Sequence, residues 1–394
     1  MNTILTALLC AASLINVHAD APVSALESIS QPMSPKSVRV LLEKDAAETL
    51  LEVTGPYHIF NPDEGSRITS GLLGKRFMIR ELPTGLKWGE EYPGIHQICI
   101  KPRSSETSIF VNGIQYSGSI IVYGVAGNIH VVNELPIEDY VRAILSLQFS
   151  SPLESEVFAA LAILARTDAY YRAMSSTNSF WHVAAADVGY EGCALIVPDS
   201  LIDKAVETTK HLILVHSTNG KDAPFATAWT SHSGGKTASY QTLFRQAACS
   251  LPHGVEAPHA ALTRQEFKWS YTISKKALST LLDTAPIKSL ELFVDRDSNK
   301  VYGLRVSDTN TTHDLDFLNL QRILGEKHLQ SSDFTISIKD DNVTFSGFGK
   351  GHGVGLCLYS ASALAQNGVN AIKILTKFFP ETYLYNLNAR IDSE

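Results

Sequence analysis

The chain has 394 residues, of which 44% are hydrophobic and 19% are charged, and its net charge is −7. This length allows two or three domains, and the composition supports folded cores rather than an intrinsically disordered chain. The negative charge and the lack of a basic stripe with interleaved aromatic residues argue against a dedicated nucleic-acid-binding protein.

The first nineteen residues resemble a secretory signal peptide. They contain no Asp, Glu, Lys or Arg, the stretch from Ile4 to Val17 is mostly apolar, and Val17-His18-Ala19 resembles a small-residue cleavage site. The stretch is too short to cross a bilayer comfortably. We therefore expect an exported protein of the periplasm or cell envelope, in which residues 20–36 form a flexible leader.

Four cysteines remain once such a signal peptide is removed. Their even number allows three disulfide pairings in an exported protein, whereas their wide spacing favours four unpaired, buried thiols. Together with the histidines they match no standard zinc pattern, so we expect no metal and no other cofactor. The cysteines are Cys99, Cys193, Cys249 and Cys357.

Residues 37–132 have the pattern of an antiparallel β region. Short apolar runs alternate with Gly, Pro and Asn, which is typical of strands joined by turns. Asn112-Gly113 predicts a tight hairpin, because Asn-Gly accepts the positive φ angles of such a turn. The strands are predicted at 38–42, 49–53, 77–80, 96–100, 108–111, 118–123 and 130–132.

A long helix is predicted from residue 152 to about residue 173, after an acidic turn and a polar loop. Ser151 and Glu154 have the spacing of a capping box, and Pro152 would occupy the favoured first position. In the middle of this apolar helix lie Arg166 and Thr167, followed by Asp168. A buried arginine needs an acidic partner, for which Glu134, Glu138 and Asp139 are the candidates.

The chain as a whole predicts an α+β fold: a mixed β-rich domain with a central long helix and a C-terminal segment that contains the glycine run and helices. After the β region at 37–132, we expect a core at 133–384 and a tail at 385–394. Helices are predicted at 201–209, 360–366 and 371–379, strands at 212–215 and 225–229, and a loop at 251–265.

Two glycine-containing segments are candidates for binding. Residues 231–235, Ser-His-Ser-Gly-Gly, predict a turn that exposes backbone N–H groups. Residues 347–355 have a glycine at every second position, which in an extended chain would place all five on one face and allow another group to approach closely. The run matches neither a phosphate loop nor a dinucleotide fingerprint.

Three ordered segments resemble the SpoIID/LytB family of bacterial cell-envelope proteins. They are residues 133–140 with Pro152-Leu153-Glu154 and Ala165-Arg166-Thr167, residues 233–237, and residues 349–356 with Tyr359 and Gly368. The resemblance implies a peptidoglycan substrate and lytic transglycosylase chemistry, which cuts between N-acetylmuramic acid and N-acetylglucosamine and leaves a 1,6-anhydro product. It also suggests a cell-wall amidase or the division machinery as partners. The implied substrate-binding residues are Arg166, Thr167, His232, Ser233, Gly234, Gly235, Gly351, His352, Gly353 and Tyr359.

The family's catalytic glutamate corresponds to Gln148 in this chain, eighteen residues before Arg166. That chemistry needs a carboxylic acid, which protonates the leaving oxygen and then acts as a base, and an amide cannot do either. Thr230 stands where the family often has His, Cys357-Leu358 where it has Ser-Gln, and Asp168 where it often has Tyr.

Two hypotheses follow. The first is a lytic transglycosylase that uses another carboxylate, with Glu156 and Asp168 as catalytic candidates beside the substituted Gln148; Glu154 is already explained by the capping box. The second is a SpoIID-like protein that binds glycan strands or acts as a scaffold without cutting. In that case Trp181, Trp229 and His352 would stack on sugars or bond to them.

Overall fold

The computed structural model describes residues 35–218, 221–244 and 253–388. The predicted signal peptide, most of the leader, Cys249 and the last residues of the predicted tail lie outside these ranges. Within them, none of the helices is both long and apolar enough to cross a membrane.

The chain forms two compact units, each assembled from separate stretches of sequence. The first, called the β unit, contains residues 35–150 and 168–210 of the described chain; the second, called the mixed unit, contains residues 151–167 and those from 211 onward. The boundary predicted from sequence, at 132/133, lies within a strand that runs from Asn128 to Pro136.

The β unit consists mainly of two antiparallel sheets. Its strands are β1 (Ser37–Ala46), β2 (Thr49–Val53), β3 (Tyr57–Phe60), β4 (Arg67–Gly71), β5 (Lys75–Leu82), β6 (Gly85–Trp88), β7 (Glu90–Pro93), β8 (Gln97–Pro102), β9 (Ile109–Val111), β10 (Ile114–Tyr116), β11 (Ser119–Val125), β12 (Asn128–Pro136) and β13 (Val183–Ala184). The first sheet has the order β13-β1-β12-β11-β8-β3-β4, and the second has the order β10-β9-β2-β5-β6-β7. Only β13 is parallel to its neighbour.

The two sheets pack face to face through alternate residues of their strands. β5 packs against β11 and β12, and the ring of Tyr57 in one sheet lies 5.4 Å from that of Trp88 in the other. Residues such as Ile98 and Ile120 are fully buried in this layer. Burial of this apolar area is the main stabilising contribution to the unit.

Asn133 is a fully buried polar residue in this layer, and all its polar contacts are made within the β unit. Its amide nitrogen donates to the carbonyl oxygens of Ser117 and Ser119 at 2.8 and 3.0 Å. Its amide oxygen accepts a hydrogen bond of 2.6 Å from the hydroxyl of Tyr190. Satisfaction of these groups offsets the cost of burying an amide.

The helices of the β unit come after β12 in the chain. They are α1 (Ile137–Gln148), the second part of α2 (Ser155–Ser175), α3 (Ala185–Val188) and α4 (Leu201–Thr208). Arg142 of α1 bridges to Asp203 of α4 at 2.7 Å and also contacts Glu207, so the two helices are joined by ion pairs.

The mixed unit contains the first part of α2 and several small sheets. Its strands are β14 (Leu212–Thr218), β15 (Lys221–Ala223), β16 (Trp229–Thr230), β17 (Lys268–Ser274), β18 (Ser289–Val294), β19 (Val301–Ser307), β20 (Thr312–Asp316), β21 (Phe334–Lys339), β22 (Asn342–Phe348), β23 (Leu356–Cys357) and β24 (Thr382–Asn386). Its other helices are α5 (Tyr240–Phe244), α6 (Pro258–Leu262), α7 (Lys275–Leu281), α8 (Phe317–Leu324), α9 (Leu358–Gln366) and α10 (Ala371–Phe378), with a 3₁₀ turn at Arg264–Phe267. The sheets have the orders β15-β14-β24, β16-β23, β17-β22-β21 and β18-β19-β20.

The α+β fold class is confirmed, and so are all seven strands predicted before residue 133. The Asn112-Gly113 hairpin is confirmed as well: Val111 pairs with Ile114, and the φ angles of Asn112 and Gly113 are 50° and 83°. The helices α4, α9 and α10 and the strand β14 also occur where the sequence predicts them.

The capping-box prediction is wrong, because α2 begins only at Ser155. The carbonyl oxygen of Glu154 accepts the N–H of Phe158 at 3.1 Å, while its side chain bonds to Gln366 in α9. A tertiary contact has therefore replaced the predicted local cap. The acidic turn and polar loop are also wrong, because residues 137–148 form α1.

Two further predictions need correction. Most of the strand predicted at 225–229 is irregular, since β16 begins at Trp229. The described part of the loop predicted at 251–265 contains α6 and the start of the 3₁₀ turn. The first two residues of the predicted tail, Tyr385 and Asn386, lie in β24, which pairs with β14.

The five glycines of residues 347–355 do not share one face of a strand. Gly347 ends the extended part in β22, and the following four, Gly349, Gly351, Gly353 and Gly355, have φ between 75° and 96°. The chain there alternates between left-handed and other conformations, which glycine adopts without steric cost. Another part of the chain does approach these glycines closely, as predicted: a Cβ at Gly355 would lie 2.0 Å from the carbonyl oxygen of Ala228.

Three of the four cysteines lie in the described chain, and each is a free thiol. Cys99 and Cys357 are buried, and Cys193 is partly buried. No disulfide therefore joins these three residues to one another.

We predict that Tyr190→Phe lowers the free energy of unfolding by about 1–2 kcal/mol, because it leaves the buried amide oxygen of Asn133 without its donor. Urea unfolding monitored by circular dichroism measures this change. Tyr271→Phe is the matched control, because no hydrogen bond of that hydroxyl is found in the described structure. Equal losses in the two variants would contradict the prediction.

Candidate functional site

In the mixed unit, Arg166 and Thr167 connect α2 to β14. Arg166 is fully buried and its guanidinium donates to the carbonyl oxygen of Leu212 at 3.0 Å. The hydroxyl of Thr167 donates to the carbonyl of Ile163 at 2.7 Å and accepts the N–H of Leu214 at 2.9 Å. These contacts hold the first strand of the unit on the helix, which is a structural role for both predicted binding residues.

The catalytic candidate Glu156 contacts the start of α10. One carboxylate oxygen accepts the N–H of Ala371, the first residue of that helix, at 2.7 Å. A carboxylate at this position is stabilised by the helix dipole. Burial alone would raise the pKa of neighbouring Glu154, but hydrogen bonds from Ser362 and Gln366 lower it below its ordinary value.

In the β unit, the candidate Asp168 forms an ion pair with Arg172 one turn later in α2, at 2.5 Å. Both side chains are largely buried. Gln148 is the last residue of α1 and is partly buried. The sequence placed it in a loop before the long helix; it instead belongs to a helix of its own.

The Ser-His-Ser-Gly-Gly segment of the mixed unit is held by a buried cation. Lys300, in the turn before β19, is only 1% exposed. Its ammonium group donates to the carbonyl oxygen of Ser233 at 2.6 Å and to the carboxylate of Asp333 at 2.9 Å. Burial lowers its pKa, whereas the Asp333 carboxylate opposes that change.

Asp333 also binds Arg264, so two cations share one carboxylate. The guanidinium contacts both carboxylate oxygens, at 2.5 and 2.9 Å, and donates to the carbonyl of Gly234. It also lies over the ring of Phe348, 4.2 Å from the centroid. A paired charge of this kind is the form in which ionised side chains are tolerated in a protein interior.

His232 is buried between two aromatic rings. Its ring stacks on Phe267 at 3.9 Å and lies 5.0 Å from Tyr359. Burial, followed by the nearby Lys300 ammonium, lowers its pKa to about 4. The ring is therefore neutral at neutral pH: Nδ1 accepts the N–H of Gly234, so Nε2 carries the proton and donates to the Thr263 hydroxyl at 3.2 Å.

The glycine run packs directly against this segment. His232 and Lys350 exchange two backbone hydrogen bonds, of 3.0 and 2.9 Å. The hydroxyl of Thr230 donates to the carbonyl of Lys350 and accepts the N–H of Gly353, both at 3.1 Å. A Cβ at Gly349 would lie 2.5 Å from the carbonyl oxygen of His232, which explains the glycine there.

His352 and Cys357 complete this contact. Burial lowers the pKa of His352 to about 4, against the effect of a backbone hydrogen bond to Trp229, and its Nδ1 accepts the N–H of Val354 at 3.1 Å. The sulfur of Cys357 accepts the N–H of Ser233 at 3.4 Å. The structure thus brings residues 232–235, 351–353 and Tyr359 into one cluster.

Lys300, Asp333 and Arg264 belong to this cluster, and the sequence did not reveal them. They lie outside the three motif segments and show no periodicity or standard spacing. Two buried hydroxyls of the predicted turn, those of Ser231 and Ser233, have no hydrogen-bond partner in the described chain. A polar ligand could satisfy such groups.

Comparison with known proteins identifies the family. The family described as Stage II sporulation protein, SpoIID, matches residues 125–216, which include the first motif segment but neither of the other two. A relative from Chlamydia muridarum is 37% identical over 198 residues, which are 50% of this chain and 68% of that protein.

Two further relatives extend this comparison. One from Chlamydia pneumoniae is 34% identical over 46% of this chain and 66% of its own length. One from Brachyspira hyodysenteriae is 28% identical over 91% of this chain and 95% of its own length. All three relatives are described as uncharacterized proteins. The chain belongs to the SpoIID family.

We predict that Lys300→Met lowers the free energy of unfolding by about 3–5 kcal/mol, since it removes one partner of a buried ion pair and the donor to the Ser233 carbonyl. Urea unfolding measures the change. Lys339→Met removes an exposed lysine of the same unit and is expected to stay within about 0.5 kcal/mol of the wild type. A loss below about 1 kcal/mol for Lys300→Met would contradict the ionic role assigned to it.

We also predict that stability falls as the pH drops below the ordinary histidine value. The folded-state pKa of His352 is about 4, so between there and about pH 6.5 the unfolded state binds more protons. Each histidine whose pKa is lowered in this way reduces the free energy of unfolding by up to about 1.4 kcal/mol for every pH unit of acidification in this window. Urea unfolding at about pH 7 and about pH 5 tests this.

His352→Gln should reduce that pH dependence, because Gln does not titrate. Phe244→Leu is the control: the Phe244 ring meets His352 edge-on at 5.5 Å, so this change alters the packing but leaves the titrating group. If His352→Gln keeps the full pH dependence of the wild type, His352 is not its source.

Proposed function

We propose that this protein binds peptidoglycan glycan strands in the cell envelope and does not cleave them as a lytic transglycosylase. One observation carries the proposal: the carboxylates that would replace the family's catalytic acid are already engaged in structural contacts. Glu156 binds the start of α10, and Asp168 pairs with Arg172.

The reaction requires a carboxyl group that both gives and takes a proton. A protonated Glu156 would lose much of its favourable interaction with the N-terminus of α10, and a protonated Asp168 would lose its ion pair with Arg172. The amide of Gln148 keeps the shape and hydrogen-bonding capacity of a glutamate but cannot transfer the proton. Loss of general acid–base assistance typically reduces rates by about 10² to 10⁴.

The binding half of the proposal is supported by residues 231–235 and 347–355 of the mixed unit, called the binding frame. The Ser-His-Ser-Gly-Gly segment and the glycine run are held together by backbone hydrogen bonds and by the Lys300–Asp333 pair. Partly exposed rings of Phe267 and Tyr359 flank His232, and such rings suit the apolar faces of sugars. A rigid, preformed frame reduces the entropic cost of binding.

The proposal includes export by the N-terminal residues 1–19 and activity in the periplasm or at the cell envelope. A cell-wall amidase, which would supply strands without stem peptides, or the division machinery is the proposed partner. The alternative of an active lytic transglycosylase requires a carboxylate released from its present contacts.

We predict that the purified chain retains peptidoglycan sacculi in a pull-down and releases no anhydro-muropeptides detectable by mass spectrometry. Sacculi with and without stem peptides are both used, so that the pull-down also measures which kind the chain prefers. Anhydro products that disappear in Glu156→Gln or Asp168→Asn would overturn the non-cleaving proposal, and failure to retain either kind of sacculus would overturn binding.

Gln148→Glu supplies the matched gain-of-function test. If position 148 is the family's acid position, this variant should produce anhydro-muropeptides, whereas Gln148→Ala should not.

A further inference from the structure

We propose that the β unit carries a second saccharide site, an aromatic platform on the outer face of its seven-stranded sheet, that takes an acidic glycan. The choice of peptidoglycan strands as ligand rests on the proposed function. The platform consists of Phe60, Phe180 and Trp181, with Lys101, Arg67 and Arg103 along one side.

One row of apolar side chains crosses the outer face of the sheet. Register places Phe60, Cys99, Ile121, Val132 and Leu41 side by side on five neighbouring strands. The row is buried at its centre, and Phe60 and Trp181 pack against it while remaining partly exposed. Apolar side chains therefore continue from the interior to the surface at this face.

The segment between α2 and β13 adds two rings to this row. The ring of Phe180 lies 4.5 Å from that of Tyr123 and 6.3 Å from that of Trp181, with the latter pair stacked. Trp181 meets His130 edge-on at 5.5 Å. Phe180 is 37% exposed, so its ring is open to solvent although it packs on Tyr123.

Several hydrogen bonds fix this segment. The side-chain oxygen of Asn178 accepts the N–H groups of Phe180 and Trp181 at 2.8 and 3.1 Å. Arg39 donates through its guanidinium to the carbonyl oxygen of Ser179 at 2.9 Å. Its backbone N–H donates to Nδ1 of His182 at 3.1 Å, and its carbonyl oxygen accepts the N–H of His182 at 2.8 Å. The rings are thus presented before any ligand arrives, which lowers the entropic cost of binding.

The cations beside the platform are exposed, and within residues 35–218, 221–244 and 253–388 none of them has an ion-pair partner. Arg67 pairs with Phe60 across the strands, and Lys101 pairs with His58. The ammonium of Lys101 lies 5.5 Å from the centroid of Phe60. Desolvation lowers the pKa of His58, and the nearby positive charges of Arg103 and Arg67 lower it further. This is consistent with a concentration of positive charge at this edge of the sheet.

This combination fits an acidic polysaccharide. Sugar rings present apolar C–H faces that stack on aromatic side chains, and each muramic residue of a strand without stem peptides has a free carboxylate for Lys101 or an arginine. Asp63 and Glu64 are the exposed acidic groups nearest in sequence on the β3–β4 turn, and Asp63 is bound by Gln97.

The test uses the full chain labelled with 5-fluorotryptophan, whose fluorine resonances are assigned with Trp181→Phe and Trp229→Phe. Two probes are titrated: glycan strands without stem peptides, which are acidic, and a chitin oligosaccharide, which is neutral. We expect the Trp181 resonance to shift with both. Phe180→Ala should weaken both affinities roughly two- to tenfold. Lys101→Gln should weaken only that for the acidic probe, and less so at high salt.

Two variants serve as matched controls. Phe77→Ala removes a ring that is 53% exposed on the other sheet of the β unit, and Lys339→Gln removes an exposed lysine of the mixed unit. Both should bind as the wild type does.

Each outcome is decisive. If the wild type binds, but Trp181 does not shift and Phe180→Ala has no effect, the platform is overturned and the proposed function stands. If neither probe binds, both proposals fail. If phosphatidylglycerol vesicles shift Trp181 and the saccharides do not, the face docks on a membrane and the saccharide site is overturned.

Discussion

The buried ammonium group of Lys300 is the interaction on which the arrangement of the mixed unit depends. It joins the Ser233 carbonyl to the Asp333 carboxylate, and Asp333 in turn holds Arg264 against Gly234. A cation in the interior is stable only while its partners remain in place, so the Ser-His-Ser-Gly-Gly segment cannot shift without exposing an unpaired charge. Gly353 makes room for this lysine, since a Cβ there would lie 2.9 Å from its Cε.

The sequence predicted much of the β unit because its signals are local. Alternating apolar residues fix which face of a strand is buried, and Asn112-Gly113 determines its own turn conformation. The predictions for α1 and for the start of α2 were wrong because tertiary contacts determine the structure at these two places. Arg142 fixes α1 through Asp203, and Glu154 binds Gln366 instead of forming a local cap.

The candidate site was predicted in part for the same reason. Motif residues such as His232 and His352 were identified by their neighbours in sequence. Lys300 meets the Ser233 carbonyl across 67 positions of chain and the Asp333 carboxylate across 33, and no sequence periodicity indicates such distant pairings. Glu156 is the reverse case, a residue that the sequence favours as catalytic because of its type. Its partner, the N–H of Ala371, lies 215 positions away and is visible only in the fold.

The alternation of backbone conformation from Gly349 to Gly355 also restricts how this protein can diverge. Every second residue there has a positive φ, and the residues between are Lys350, His352 and Val354. Insertion or deletion of one residue within the run would move side-chain-bearing residues into left-handed positions, which are costly for a β-branched residue above all. The length of the segment is therefore constrained, because each glycine must keep its left-handed position.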